Sequence, residues 1–150
     1  MGIEKDIQQL SFKSEYQKVI INLVYTYHWT IGHCETFFDR FDLTNQQFNI
    51  LRILRGAAKP LSILKIRERM LDKMSDTSRI LDRLVIKKLV HKSKNKLDKR
   101  LVDVVTTTAG LSILKKIDQK EQDLFHISSN LSEAEAHTLN ELLDKFRHPC

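Results

Sequence analysis

Four glycines and two prolines in 150 residues leave little of the punctuation that a sandwich of short strands needs at its turns. Long regular elements are expected instead. Two cysteines, Cys34 and Cys150, cannot build a disulfide framework and match no zinc-ligand spacing. No apolar run approaches the ~20 residues that span a bilayer, and Val19–Val24 is interrupted at Asn22. The opening stretch MGIEKDIQQL lacks an apolar core of signal-peptide length, so export by that route is not expected and the chain reads as cytoplasmic, with no membrane partner. Nor is there a nucleophile elbow, a phosphate-cradling glycine loop or a metal-ligand spacing, which leaves no basis for an enzyme, a cofactor or a metal. The hydrophobic fraction, 41%, suffices for a core and argues against wholesale disorder.

What is abundant is positive charge in one place. The chain carries a formal +6, which alone says little. Between Lys59 and Val102, however, 14 basic residues face 5 acidic ones, while the rest of the chain holds 11 basic and 14 acidic. A basic middle on mildly acidic flanks suits an anion-binding module, with a polyanion such as double-stranded DNA as the leading partner. A lysine-rich solvated face is the plainer alternative.

Apolar spacing predicts the elements. The first forty residues read as one long helix, bent near Ser11–Ser14, with a stripe at Tyr16, Ile20, Leu23, Tyr27, Ile31, Cys34, Phe38 and Phe41. Val19, Val24, Trp29 and Phe37 lie off that stripe, so the helix needs cover on more than one face. Thr44-Asn45-Gln46-Gln47 is a capping box opening a helix with Phe48, Leu51 and Leu54 inward that ends about Gly56, before Pro60. Ser62 caps a short helix edged by Ile63, Ile66 and Met70, and Leu71–Met74 is a tight connection. Ser75 begins a helix running to about Lys88. Two strands follow, Leu89–Lys92 and Leu101–Thr106, around a basic tip. Thr107 caps a helix through Leu111, Leu114, Ile117 and Leu124. Ser132-Glu133-Ala134-Glu135 opens a last one with Leu139, Leu142, Leu143 and Phe146 inward.

The fold class expected is therefore mainly α with a small β-hairpin: a winged helix-turn-helix core at 43–106, flanked by helices at 1–42 and 107–150. Those flanks hold more apolar surface than a compact core of ~60 residues covers, which favours a homodimer built from both chain ends.

In the helix from Ser75, the residues Thr77, Ile80, Leu81, Leu84, Val85 and the Lys88 stem fall on one side; Ser75, Asp76, Arg79, Arg83 and Ile86 fall on the other, with Asp82 at its border. A major groove admits one helix, and its first turns bring short polar and Arg side chains to base edges. Arg79 is the candidate for a bidentate guanine contact, or for a phosphate; Ser75, Asp76 and Ser78 can bond to bases. An ordinary surface helix with ion pairs, for instance Arg79 with Asp82, is the alternative. In the hairpin tip Lys92, Lys94, Lys96, Lys99 and Arg100 crowd nine residues whose repulsion an anion would relieve. Asp98 can pair with Arg100 and hold it extended, a shape suited to the narrow minor groove of A·T-rich DNA.

Leu43-Thr44 with Gln47-Phe48 and Ile50-Leu51, Pro60-Leu61-Ser62, the run Ser75–Leu84, Lys88-Leu89-Val90, Asp98-Lys99-Arg100 and Thr107-Thr108-Ala109-Gly110 together resemble the MarR family of bacterial regulators. The resemblance is dense over about 43–112. It implies a winged-helix homodimer on pseudo-palindromic DNA, usually a repressor, with the recognition helix on Ser75–Leu89 (Ser75, Asp76, Thr77, Ser78, Arg79 and Arg83), the minor-groove arginine on Arg100 and its partner on Asp98. Lys88 stands where the family commonly has glycine. The resemblance further implies release by a small aromatic acid or phenol, for which Tyr25, His28, Trp29 and Arg52 are candidate crevice residues; Tyr27, His33, Phe37, Phe38 and Arg55 are nearby options, although aromatic packing is the plainer role. Cys34 comes too late in its helix for the family's peroxide-sensing cysteine and reads as a half-buried structural thiol, with Cys150 an accessory in the tail. A winged-helix protein-interaction module meeting an acidic partner is the rival reading.

Overall fold

In the computed structural model, which describes residues 2–148, a winged lobe is built in the middle of the chain and flanked by helices. The predicted first helix is two. A single turn, α1 (Ile3–Asp6), is followed by a non-helical stretch with Gln8 in the left-handed region, and α2 (Glu15–Asp39) starts afresh where the Ser14 hydroxyl accepts from Gln17 N at 3.2 Å. Serine at an N-cap satisfies an orphan amide, so Ser14 begins a helix where a bend was expected. An ion pair from Lys18 to Glu4 ties α1 back onto α2.

The Thr44 capping box is formed as expected and opens α3 (Asn45–Ala57). Its stop is Ala58, held left-handed at φ 51°, rather than Gly56, which remains inside the helix. A two-residue strand, β1 (Leu61–Ser62), precedes α4 (Ile63–Arg69), whose N-cap is Ser62. Two residues show no alternation, so β1 had no signature in the sequence. It pairs antiparallel with β3 (Val102–Thr106), which in turn pairs with β2 (Val90–Lys94), giving the order β1-β3-β2.

Between α4 and the sheet lies α5 (Thr77–Ile86), two residues shorter at its start than predicted. Asp76 is the cap, its carboxylate accepting from Arg79 N at 3.1 Å, while the Ser75 hydroxyl donates to the Asp72 carbonyl at 2.8 Å. At the other end Leu89 N bonds to Leu84 O and Lys88 N to Val85 O, a Schellman ending whose left-handed residue is Lys88 at φ 60°. Lys88 is thus an exposed turn residue, not part of the apolar side of the helix. The glycine common in the family at this place has a physical reason: a side chain at such a φ is strained.

Leu81 and Leu84 of α5 are fully buried with Ile50, Leu51, Leu61, Ile66, Met70, Val104 and Leu114, forming one core across α3, α4, α5, the sheet and α6 (Thr108–Asp118). Thr107 knits this together, its hydroxyl donating to Lys88 O and accepting from Gly110 N. A Cβ on Gly110 would overlap the Leu89 carbonyl oxygen and stand 2.6 Å from Thr106 Cγ2. The helix predicted through Leu124 breaks at Gln119–Lys120. A separate α7 (Glu121–Phe125) then lies against α2, where Arg40 pairs with Asp123 at 3.1 Å. α8 (Glu133–Arg147) opens on the Ser132 capping box, but Leu139, Leu142 and Phe146 are exposed and Leu143 only half-buried, so this stripe does not face the chain's own core.

Gly110→Ala should destabilise by roughly 1–3 kcal/mol, because backbone must shift to admit the methyl. Lys88→Gly should stabilise by about 1 kcal/mol by relieving the left-handed strain. Urea unfolding of both variants checks this, opposite signs being expected.

Candidate nucleic-acid interface

Burial of Leu81 and Leu84 fixes which side of α5 faces outward: Ser78, Arg79, Asp82, Arg83 and Ile86 are exposed. Thr77, at 3% exposure, belongs to the packed side and is withdrawn from the candidates for base contact. Asp76 is exposed, but one of its oxygens is committed to the helix cap, and Ser75 is turned onto Asp72. Among the described residues Arg79 and Arg83 make no ion pair, so neither forms the surface pair with Asp82 considered for this helix. Asp82 pairs instead with Lys92 of β2 at 2.6 Å, coupling the hairpin to the outward face of α5. Lys92 is thereby engaged within the protein and is a positioning residue, in contrast to the exposed Lys94, Lys96 and Lys99, which make no ion pair among the described residues.

The tip is an ordered turn. Arg100 donates through Nε to Asp98 Oδ1 (3.1 Å) and through Nη2 to Asp98 Oδ2 (3.2 Å), and its backbone N–H bonds to the same carboxylate at 3.0 Å. Those hydrogen bonds, the side-chain one foremost, hold the Asp98 carboxyl below the usual carboxylate range. The Arg100 side chain is almost wholly exposed. Asn95, which the sequence reading passed over, organises the same turn. Its Oδ1 accepts from Leu97 N and Asp98 N, each at 2.9 Å, while Nδ2 donates to both Asp103 oxygens. Asn followed two and three residues later by the bonded amides is an Asx turn, a local signal that was available in the sequence. Lys87 adds a third brace, bonding to the Asp42 carbonyl and pairing with its carboxylate at 3.1 Å, so the end of α5 is held to the α2–α3 junction.

The sequence-predicted crevice is not assembled. Tyr25 and Arg52 are exposed, Trp29 stacks edge-on with His33 at 4.5 Å, and His28 does the same with Tyr27 at 5.3 Å. Spacing along one helix set their order but not their neighbours. Arg55 is taken up by Asp118 at 2.7 Å, and Phe37 and Phe38 are core. A different crevice, of about 220 Å³, runs between α2 and the loop before α5, lined by Tyr27, Ile31, Met70 and Leu71 with Glu35, Asp72 and the amides of Asn45, Gln46 and Asn49. Cys34 is half-buried, and burial pushes its thiol up, with neighbouring Glu35 adding to the shift, so it is a weak nucleophile at neutral pH. Cys150 lies outside the described residues. Among the described residues no group of three or more His, Cys, Asp or Glu could hold a metal, and no helix is long and apolar enough to cross a membrane.

The MarR family model matches residues 43–102. The multiple antibiotic resistance protein MarR of Escherichia coli (strain K12) is 37% identical over 108 residues, covering 69% of this chain and 73% of that relative. The chain belongs to the MarR family. It is a transcription regulator of that family and not an enzyme. Mutant E. coli MarR in complex with operator DNA is similar in structure, with a TM-score of 0.80 at 28% identity over 91% of this chain and 98% of that one. A MarR transcription factor of Planctomyces limnophilus gives a TM-score of 0.64 at 31% identity over 89% and 98%. The MarR-type winged helix is thereby the fold of this chain.

Because Asp98 is held charged by Arg100, its contribution to the tip is complete above the ordinary carboxylate range and is lost as pH falls through the lowered value. A carboxyl titration by NMR should show Asp98 titrating below an ordinary aspartate, and Arg100→Ala should raise it part of the way back, since the backbone N–H of residue 100 still bonds the carboxylate.

Proposed function

We propose that this MarR-family regulator acts as a homodimeric repressor that occupies a pseudo-palindromic operator, with Ser78, Arg79 and Arg83 in the major groove and Arg100 in the adjacent minor groove. The observation that carries this reading is the brace between Asp82 and Lys92, which links the outward side of the recognition helix to the base of the wing that bears Arg100. Asp76 and Ser75 position the start of the helix, and Lys94, Lys96 and Lys99 neutralise phosphates. In this division of labour 43–106 is the DNA-binding lobe, and 1–42 with 107–150 form the dimerisation region.

Support for the second subunit comes from unspent apolar surface. Tyr16, Ile20 and Val24 of α2 and Leu139, Leu142 and Phe146 of α8 are exposed, and an apolar trough between Val19, Leu23, Leu139, Leu142 and Phe146 joins the two helices. A patch of that kind rarely stands open on a monomer. Support for operator binding comes from a mutant E. coli MarR, whose crystal structure is of a complex with operator DNA. For release by a small effector, the crevice beside Tyr27 and Met70 replaces the group around Tyr25, His28, Trp29 and Arg52. Its polar lining is carboxylate and amide without a cation, which suits a phenolic hydroxyl donor better than an aromatic acid.

Selection of bound duplexes from a random pool should return an inverted repeat with half-site centres about 34–36 Å apart, one helical turn. Pools without a repeat would overturn the dimeric reading. Against the selected site, Arg100→Ala should weaken binding on all duplexes and flatten the log–log salt slope by roughly one. Arg79→Ala should lose about 1–3 kcal/mol of discrimination at one base position. Equal weakening on cognate and random DNA would assign Arg79 to the phosphate backbone.

A further inference from the structure

The tip of the wing carries an apolar residue in the midst of its cations. Leu97 is 98% exposed, the most open large apolar side chain among the described residues. It is also rigidly presented. Asn95 accepts its backbone N–H, Asn95 N bonds to Leu101 O at 3.0 Å, and Leu101 N bonds to Asp98 O at 2.9 Å, so the turn is closed on both sides of the leucine. With its backbone held in this closed turn the Leu97 side chain covers no other part of the protein, and leaving it in water forgoes its transfer free energy.

The surroundings indicate what would cover it. Lys96 and Lys99 flank it and Arg100 is three residues on. Of the two nearby carboxylates, Asp98 is paired with that arginine and Asp103, at the base of the turn, accepts from Asn95 Nδ2 through both oxygens, while the acceptor oxygen of Asn95 is consumed within the turn. The tip therefore offers cations around one hydrocarbon group, with its own carboxylate taken up by Arg100. Leucine can read no hydrogen-bond pattern. Between base steps, however, apolar wedges partly unstack the duplex, and pyrimidine–purine steps yield most easily.

We propose that Leu97 is such a wedge, entering the minor groove beside Arg100 and making the operator preference depend on a deformable step under the wing. This rests on the minor-groove reading of the wing given above. An arginine alone favours the stiff, narrow groove of an A-tract, whereas a wedge favours a flexible step, so the two contributions pull in opposite directions and can be separated.

Two duplexes of equal length and identical base composition make the test: alternating A–T sequence, rich in TpA steps, and an uninterrupted A-tract, which has none. Each carries one 2-aminopurine whose fluorescence rises on unstacking. The intact protein should prefer the alternating duplex by ~10-fold and raise its fluorescence, a preference worth about 1.4 kcal/mol. Leu97→Ala should abolish the fluorescence rise, shift the preference toward the A-tract that Arg100 favours, and leave the salt slope unchanged. Arg100→Ala should weaken binding to both duplexes while keeping the fluorescence rise. Retention of the preference and of the fluorescence rise in Leu97→Ala would overturn the wedge and spare the wing, provided Arg100→Ala still weakens binding. Unchanged binding by both variants would overturn the wing reading and the wedge together.

Discussion

The structure depends on a single helix having to satisfy two solvents. Leu81 and Leu84 bury one side of α5 completely, in a core shared with α3, α4, α6 and the sheet, and each such side chain contributes on the order of 2 kcal/mol by leaving water. Ten residues are too few for a helix to persist unaided, so α5 exists because that core holds it. The same packing determines that Ser78, Arg79 and Arg83 point away from the protein. Rotating the helix to hide the arginines would expose both leucines, and no local rearrangement avoids that cost.

Polar braces then convert a fixed helix into a fixed surface. Asp82 takes Lys92, Lys87 reaches back to Asp42, and Thr107 joins the end of the helix region to the start of α6. Such exposed ion pairs add little stability one at a time. Their effect here is geometric: the ribbon is tied to the outward face of α5, and Asn95 and Asp98 set the tip in turn. Charge that would repel itself along the ribbon is left at Lys94, Lys96 and Lys99, which make no ion pair among the described residues, while the lysine that could have weakened the brace is consumed by it. Lys92 is thus spent on the brace, while its neighbours along the ribbon keep their charge exposed.

What the sequence disclosed follows the range of the forces involved. Caps at Thr44, Ser62, Thr107 and Ser132 act within four residues, and each was legible from residue type and spacing alone. So was the sidedness of α5, because a 3.6-residue period is written into its leucines. The fresh start at Ser14 and the break after Asp118 were not, since apolar spacing continued across both and only tertiary packing decides whether a helix runs on. Strand β1 depends wholly on its partner β3, 40 residues away. Lys92 looked like every other lysine of the ribbon until Asp82 was seen beside it. The aromatic group of α2 failed for a similar reason: periodicity places residues on a helix face, and it does not say which other element that face meets. In α8 the apolar spacing was legible but the inward facing expected of it was not met, since Leu139, Leu142 and Phe146 are exposed beside α2 rather than buried in the core.

The central claim is that one outward surface, made of the α5 face and the hairpin tip together, receives the duplex. Amide hydrogen exchange of the full chain, with and without a selected operator duplex, tests it most directly. The account predicts that protection on adding DNA appears jointly at the start of α5 and across the 94–101 turn, with the α7 region unaffected. Protection at the helix without the turn, or confined to the α2 and α8 faces, would contradict it.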